Sequence, residues 1–286
     1  MQGVLPLVAS ALLLASCTTA ATTGAAAATP MNPSRNQTLA PDPHASGPCT
    51  TTGDGGGRCA SPCWFVSRSG VITEAPDTRR PACDAVVLRS IDAARRREGV
   101  RPMVLPSNFE RLTTAEQLFV VLDLERVDRG LPPYLGLTAN LDAVALRGAQ
   151  RNGDPVGTGG MPVGPDGAGT IWAEDYSVLM VDFGWMENDG WGGTLRATTN
   201  VACRSPHDPG CWGHRDVILA VDTRHGRNCH TCVVGAAYAT IRGRGREATP
   251  SGSYAAVIAQ PASGVHPRLV FSWARDVVPF LARPKR

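Results

Sequence analysis

Residues 211–216 read Cys-Trp-Gly-His-Arg-Asp, and Val217, Ile218 and Leu219 follow. A histidine set among a thiol, a guanidinium and a carboxylate permits three kinds of chemistry. The imidazole of His214 can take a metal ion, move a proton, or hydrogen-bond to fix a loop at the entrance to a core element. Two upstream carboxylates are candidates to share a cleft with it, Glu174 and Asp154. A second cluster, Cys229-His230-Thr231-Cys232 with His225 nearby, has the spacing of a redox motif and also of a metal site. No thioredoxin-like βαβ pattern surrounds it, so a static bridge is the stronger reading. Serine hydrolase chemistry is excluded on pattern, because no Gly-x-Ser-x-Gly elbow occurs.

The compartment decides among these readings. Residues 4–16 are almost wholly apolar and small, which suits a secretory signal and is too short to span a bilayer. The run ends in Leu14-Ala15-Ser16-Cys17, the pattern of a bacterial lipoprotein signal in which the Cys17 thiol receives the lipid. The alternative is an ordinary signal peptide cleaved nearby. Residues 18–47 are rich in Ala, Thr and Pro without a hydrophobic period, as expected of a disordered tether. The expected location is therefore extracytoplasmic, lipid-anchored in the cell membrane or secreted.

The chain has nine cysteines. Setting Cys17 aside for lipidation leaves Cys49, Cys59, Cys63, Cys83, Cys203, Cys211, Cys229 and Cys232, an even set suited to structural disulfides outside the cytoplasm. The first four fall in a Gly/Pro-rich stretch with few apolar residues, an extension that would rely on bridges. The formal net charge of +3 implies no strong electrostatic partner and gives no reason to expect nucleic acid. The basic run 89–101 reads as a solvated linker helix, with contact to anionic phosphate as the alternative.

The elements that must position the candidate residues begin near 106. Thr113 and Glu116 form a capping box, Leu118, Val121, Leu122 and Glu125 follow at helical spacing, and Gly130 with Pro132-Pro133 ends the helix. A second helix is expected over 137–153, with Leu137, Leu141, Val144 and Ala145 on one face and Gly153 past its end, and a third over 175–189. Short β-branched and small-residue runs at 232–241, 252–260 and 268–274 read as strands. Helices first and strands later predict an α+β fold. The division is a signal peptide at 1–17, a tether at 18–47, a Cys-rich segment with the basic helix at 48–105, and the main domain at 106–286.

Leu124 to Tyr134, with Arg126 and Gly130-Leu131-Pro132-Pro133, resembles the first-helix signature of the CAP superfamily, the cysteine-rich secretory, antigen 5 and pathogenesis-related proteins, in its bacterial exported type. Asp123 stands where that signature usually has Asn. Trp185-Met186 resembles the family's third helix. Gly213-His214-Arg215 with Ile218 and Leu219 resembles its Gly-His-Arg-x-x-Ile-Leu motif, and the runs at 233–239 and 254–260 resemble its closing strands. The resemblance spans about residues 108–275. It implies a three-layer α-β-α sandwich with a central antiparallel sheet, here preceded by the Cys-rich N-terminal extension.

Many members of that family have a cleft lined by two His and two acidic residues, sometimes with a divalent cation. In this chain His214 matches that set, Thr170 stands in the place of one glutamate, and 152–164 contains no histidine. No metal or cofactor is therefore expected, a divalent cation at His214 being the alternative. The family spacing also implies an insertion between Trp185 and His214, closed by a Cys203–Cys211 bridge. Arg126, Arg215, Trp185 and Trp212 are expected to be structural, with Arg215 pairing Asp123 or Glu125 at the end of the first helix. The expected function is a non-enzymatic envelope module that meets the bacterial membrane through its anchor and contacts wall polymer, lipid or another envelope protein. The alternative is a metal-assisted hydrolase that uses His214 with Glu174 or Asp154.

Overall fold

The computed structural model describes residues 49–51, 57–59, 64–66, 72–74, 82–187, 189, 212–219, 221–222, 227–241 and 251–281. The signal and tether stretches, Cys17, Cys63, Cys203 and Cys211 lie outside the described residues. Four short strands come first: β1 (Cys49–Thr51) pairs with β2 (Gly57–Cys59), and β3 (Trp64–Val66) with β4 (Ile72–Glu74). Then follow α1 (Ala82–Arg97), α2 (Thr114–Val127), β5 (Gly136–Thr138), α3 (Ala139–Arg151), β6 (Val163–Asp175), α4 (Val178–Glu187) and α5 (Gly213–Leu219). The chain continues through β7 (Val221–Asp222), β8 (Arg227–Asn228), β9 (Val233–Ile241), β10 (Ser251–Pro261) and β11 (Leu269–Ser272) to a π-helical turn, Trp273–Val277. The class is α+β.

Local chemistry sets the bounds of α2. The Thr113 hydroxyl accepts the Glu116 N–H at 3.3 Å, and the Thr113 N–H donates to the Glu116 carboxylate at 2.8 Å, the reciprocal cap read from the sequence. At the other end Gly130 takes a left-handed φ of 76°. The Leu131 N–H returns to the Arg126 carbonyl at 3.0 Å and the Gly130 N–H to Val127 at 3.1 Å, closing the helix. The end of α3 differs from expectation: Asn152, not Gly153, takes the left-handed position, at φ 55°. Asparagine tolerates that conformation because its short amide can bond locally.

The sheet runs β11-β5-β9-β10-β6. An antiparallel sheet was expected, and three of its four strand pairings are antiparallel, but β5 runs parallel to β9 with Leu137 opposite Val234. Leu137, expected on a helix, thus lies in a strand whose chain continues directly into α3. Alternation along β10 splits the core. Tyr254, Ala256 and Ile258 join Leu118, Leu122, Phe183, Trp185 and Ile218 from α2, α4 and α5. Ala255, Val257 and Ala259 join Leu141, Val144, Ala145 and Ala149 from α3. Gly235 lets α3 settle on the sheet, since any side chain there would strike the backbone of Leu141.

Helix α1 lies in the stretch read as a solvated linker, yet Val87, Ile91, Ala94 and Arg95 are buried and the helix packs on α4. Its apolar stripe is diluted by arginines, whose charge conceals it in the sequence; Arg95 itself is wholly covered because it meets carboxylates inside the molecule.

One side chain joins the beginning and the end of this arrangement. Arg126, fully buried on α2, donates to the carbonyls of Pro132 at 3.0 Å, Ile218 at 3.2 Å, Leu219, and Cys229 at 3.1 Å. Its guanidinium lies 4.3 Å from the centroid of the Tyr134 ring. The expectation gave Arg215 this joining role; the structure gives it to Arg126, which meets the carbonyls at the end of α5 and at Cys229, while Arg215 turns to Met186 and Glu98.

Removing the fork should cost far more than removing a cap. In chemical denaturation Arg126→Ala should lose about 3 kcal/mol or more, by leaving buried carbonyls unmet. Arg126→Lys should recover little of this, since an ammonium cannot span the same acceptors. Thr113→Ala should cost only about 1 kcal/mol.

Candidate functional site

His214 is the second residue of α5, and the approach to that helix is unusual. Trp212 adopts a left-handed φ of 63°, and its N–H donates to the Asp189 carbonyl at 3.2 Å. The Asp189 carboxylate then accepts the His214 N–H at 2.6 Å and meets His214 Nδ1 at 2.8 Å. A carboxylate can only accept, so Nδ1 carries the proton and Nε2 is directed away from Asp189. The ring lies nearly parallel to the indole of Trp185, at 20° and 6.3 Å between centroids. Trp185 is fixed in turn by an Nε1–H bond to the Trp172 carbonyl of β6 at 3.2 Å.

Burial alone would lower the His214 pKa. The hydrogen bond and charge of Asp189, with the charge of Asp154, outweigh it and raise the value above the ordinary 6.5. Glu174, at the end of β6, accepts from Asn152 Nδ2 at 2.9 Å, which ties the close of α3 to the sheet. The carboxylate that touches His214 is Asp189, absent from the sequence-based candidates. No local signal marks it: it follows α4 in an ordinary-looking turn, and only the fold brings it to His214.

The other residues of the motif face inward. Arg215 is buried and donates to the Met186 carbonyl at 2.8 Å and to Glu98 at 2.7 Å, reaching α1 and α4, not Asp123 or Glu125. Asp123 instead accepts the Tyr134 N–H at 2.7 Å, and Glu125 pairs with Arg95 and Arg129. The Arg215 guanidinium stands 5.3 Å from the buried Trp212 ring centroid, and Ile218 and Leu219 enter the core as expected. Cys229 and Cys232 form a disulfide with Cα atoms 5.5 Å apart, both sulfurs buried, while His230 is exposed.

Among the described residues no group of three or more His, Cys, Asp or Glu side chains could hold a metal ion. A cavity of about 500 Å³ opens at the Gly164 end of β6, lined by Leu135, Thr231, Gln260 and His266, the far end of that strand from Glu174. None of His214, Glu174 or Asp154 lines it. The arrangement at His214 can hold an imidazole in one tautomer and orientation, partly open to solvent.

Two tests follow from this geometry. Asp189→Asn should lower the His214 pKa, as read by NMR titration of the imidazole. A raised histidine stabilises the fold fully below its unfolded value of 6.5, and that gain is lost as pH rises through the higher folded value. The variant should therefore show a weaker decline in stability with pH across that window. In denaturant, Arg215→Ala should cost about 3 kcal/mol because Glu98 loses a buried partner, and His214→Ala about 1 kcal/mol for a partly exposed hydrogen bond. Equal or reversed costs would make His214 the structural residue of the pair.

Comparison with protein-family models, with curated proteins and with solved structures finds no match to this chain.

Proposed function

We propose that this chain is an exported, lipid-anchored envelope protein whose folded part is a CAP-like binding or display module. The single observation that carries the non-enzymatic reading is the state of His214. Its backbone N–H and Nδ1 are both committed to Asp189, and its ring lies along Trp185. Such a histidine anchors the start of α5 and offers one free nitrogen. The lipoprotein-type signal ending at Cys17, the tether at 18–47 and the resemblance of Gly213 to Leu219 to the CAP motif support the remainder of the reading.

In this reading the two core clusters on either side of the sheet are the inner faces of a three-layer α-β-α sandwich, and residues 48–105, with Cys49, Cys59, Cys63 and Cys83, form a disulfide-braced extension before it. The module meets the bacterial membrane through its anchor and contacts wall polymer, lipid or another envelope protein by its surface loops. The metal-assisted hydrolase is the second reading. A carboxylate that fixes Nδ1 and directs Nε2 outward is the arrangement that supports a metal-ligating or proton-moving imidazole, and Asp189 supplies it.

Cys17→Ala should release the protein from the membrane fraction or block its processing. Full retention with normal processing would overturn the anchor. Elemental analysis of the purified protein separates the two readings of the site: a stoichiometric divalent metal lost in His214→Ala would favour the hydrolase.

A further inference from the structure

The four helices α1, α2, α4 and α5 meet around buried charges. From α1 comes Arg95, and just after it Glu98 and Arg101. The end of α2 supplies Glu125, Asp128 and Arg129, α4 supplies Asp182 and Glu187, and α5 supplies Arg215. Arg95 meets Glu125 at 2.8 Å and also Asp128, which Arg101 contacts from the solvent side. Arg129 meets Glu125, reaches Glu98 at 2.8 Å, and stands 3.7 Å from Glu187. Arg215 extends the chain of ion pairs from Glu98 at 2.7 Å.

These partners do not balance if every acid is ionised. Five carboxyls face four guanidiniums, and one of the four, Arg101, is 68% exposed and largely satisfied by water. Asp182 is the excluded member. Its side chain is fully buried, and neither of its oxygens has a hydrogen-bond partner among the described residues. An ionised carboxylate in that position would cost several kcal/mol, so the group is kept neutral by a proton. A metal ion is not the alternative, since the acids do not converge on a common point among the described residues.

We propose that α1 is a proton-fastened clasp: it lies across α2 and α4 while Asp182 and Glu187 are protonated, and loosens when they ionise. Geometry gives the consequence. Added negative charge would appear beneath Glu98 and Glu125, the residues through which Arg129, Arg215 and Arg95 hold α1. The apolar face of α1, Val87, Ile91 and Ala94, would then separate from α4.

The titration behaviour agrees. Burial, reinforced by the charge of Glu125, raises Asp182 well above the ordinary carboxylate range. Burial, with the charge of Glu98, pushes Glu187 up to about 8 against the pull of Arg215 and Arg129. For Glu98 burial acts upward, but Arg215 and Arg129 overcome it and bring the value down to about 2. The signs are opposite. Raised carboxyls stabilise the fold below their unfolded values, 3.8 for Asp182 and 4.5 for Glu187, and lose that contribution as pH rises through their folded values, about 8 for Glu187. Glu98 contributes above 4.5 and is lost as pH falls toward 2. The clasp is therefore tightest in mild acid and opens on the alkaline side.

The test is amide hydrogen exchange on the full chain at about pH 6 and about pH 9, corrected for the chemical exchange rate, with α3 as internal reference because it packs on the other side of the sheet. Protection in α1 should fall about tenfold or more, the scale of one unit of titration, while α3 changes less than about twofold. In the double variant Asp182→Asn, Glu187→Gln, whose amides cannot ionise, α1 should lose this pH dependence. The proposal fails if α1 is flat in the unaltered protein, if α1 and α3 loosen together, or if the double variant still loosens. If that variant does not fold, the infrared band of protonated carboxyls in the unaltered protein decides. It must disappear over the same pH range as α1 loosens, and its absence at about pH 6 would overturn the proposal.

Discussion

The arrangement depends on one buried cation, Arg126. A guanidinium taken out of water needs acceptors in its own plane, and carbonyls at the end of α5, after α2 and at the start of the Cys229 turn provide them. Tyr134 adds to the same junction, its hydroxyl donating to the Ile218 carbonyl and its ring lying against the guanidinium. The last carbonyls of a helix carry partial negative charge, so the cation also suits the end of α5 electrostatically. Once Arg126 is placed, α5 can take one position, and the location of His214 follows from it.

The two ends of α5 therefore serve different purposes. The end at Leu219 is dry and fixed by a charge that meets backbone carbonyls. The start, at His214, is half open and held by Asp189, whose carboxylate satisfies both the helix's first amide and the imidazole. Between them Arg215 turns the other way, into the charges around α1. One seven-residue helix thus links the open histidine, the core and the residue that follows α1, Glu98.

How much of this the sequence disclosed depended on whether the signal was local. The cap of α2 and its glycine stop could be read because each is made within a few residues. The strands β9, β10 and β11 could be read from their β-branched and small residues. Strand β6 could not, since Gly164, Pro165, Gly167 and Gly169 are poor strand formers; it is held by pairing with β10 from Ala168 to Asp175 and at Val163. Strand β5 was hidden in the apolar pattern of the following helix. At the site, His214 was evident from its motif, but Asp189 and Glu98 were not, because each meets its partner only across the folded chain. The same holds for Arg126 and Arg215, recognisable as structural arginines but not assignable to partners.

The position of β5 bears on when the protein can fold. This three-residue strand lies inside the sheet, with Val234 beside Leu137 on one side and Phe271 on the other. Both neighbours are synthesised long after it, so the sheet cannot close around β5 until almost the entire chain has been made. Contacts this distant in sequence make folding slow. Strand β5 therefore waits for both of its neighbours, and the sheet is completed only when β11 has been made.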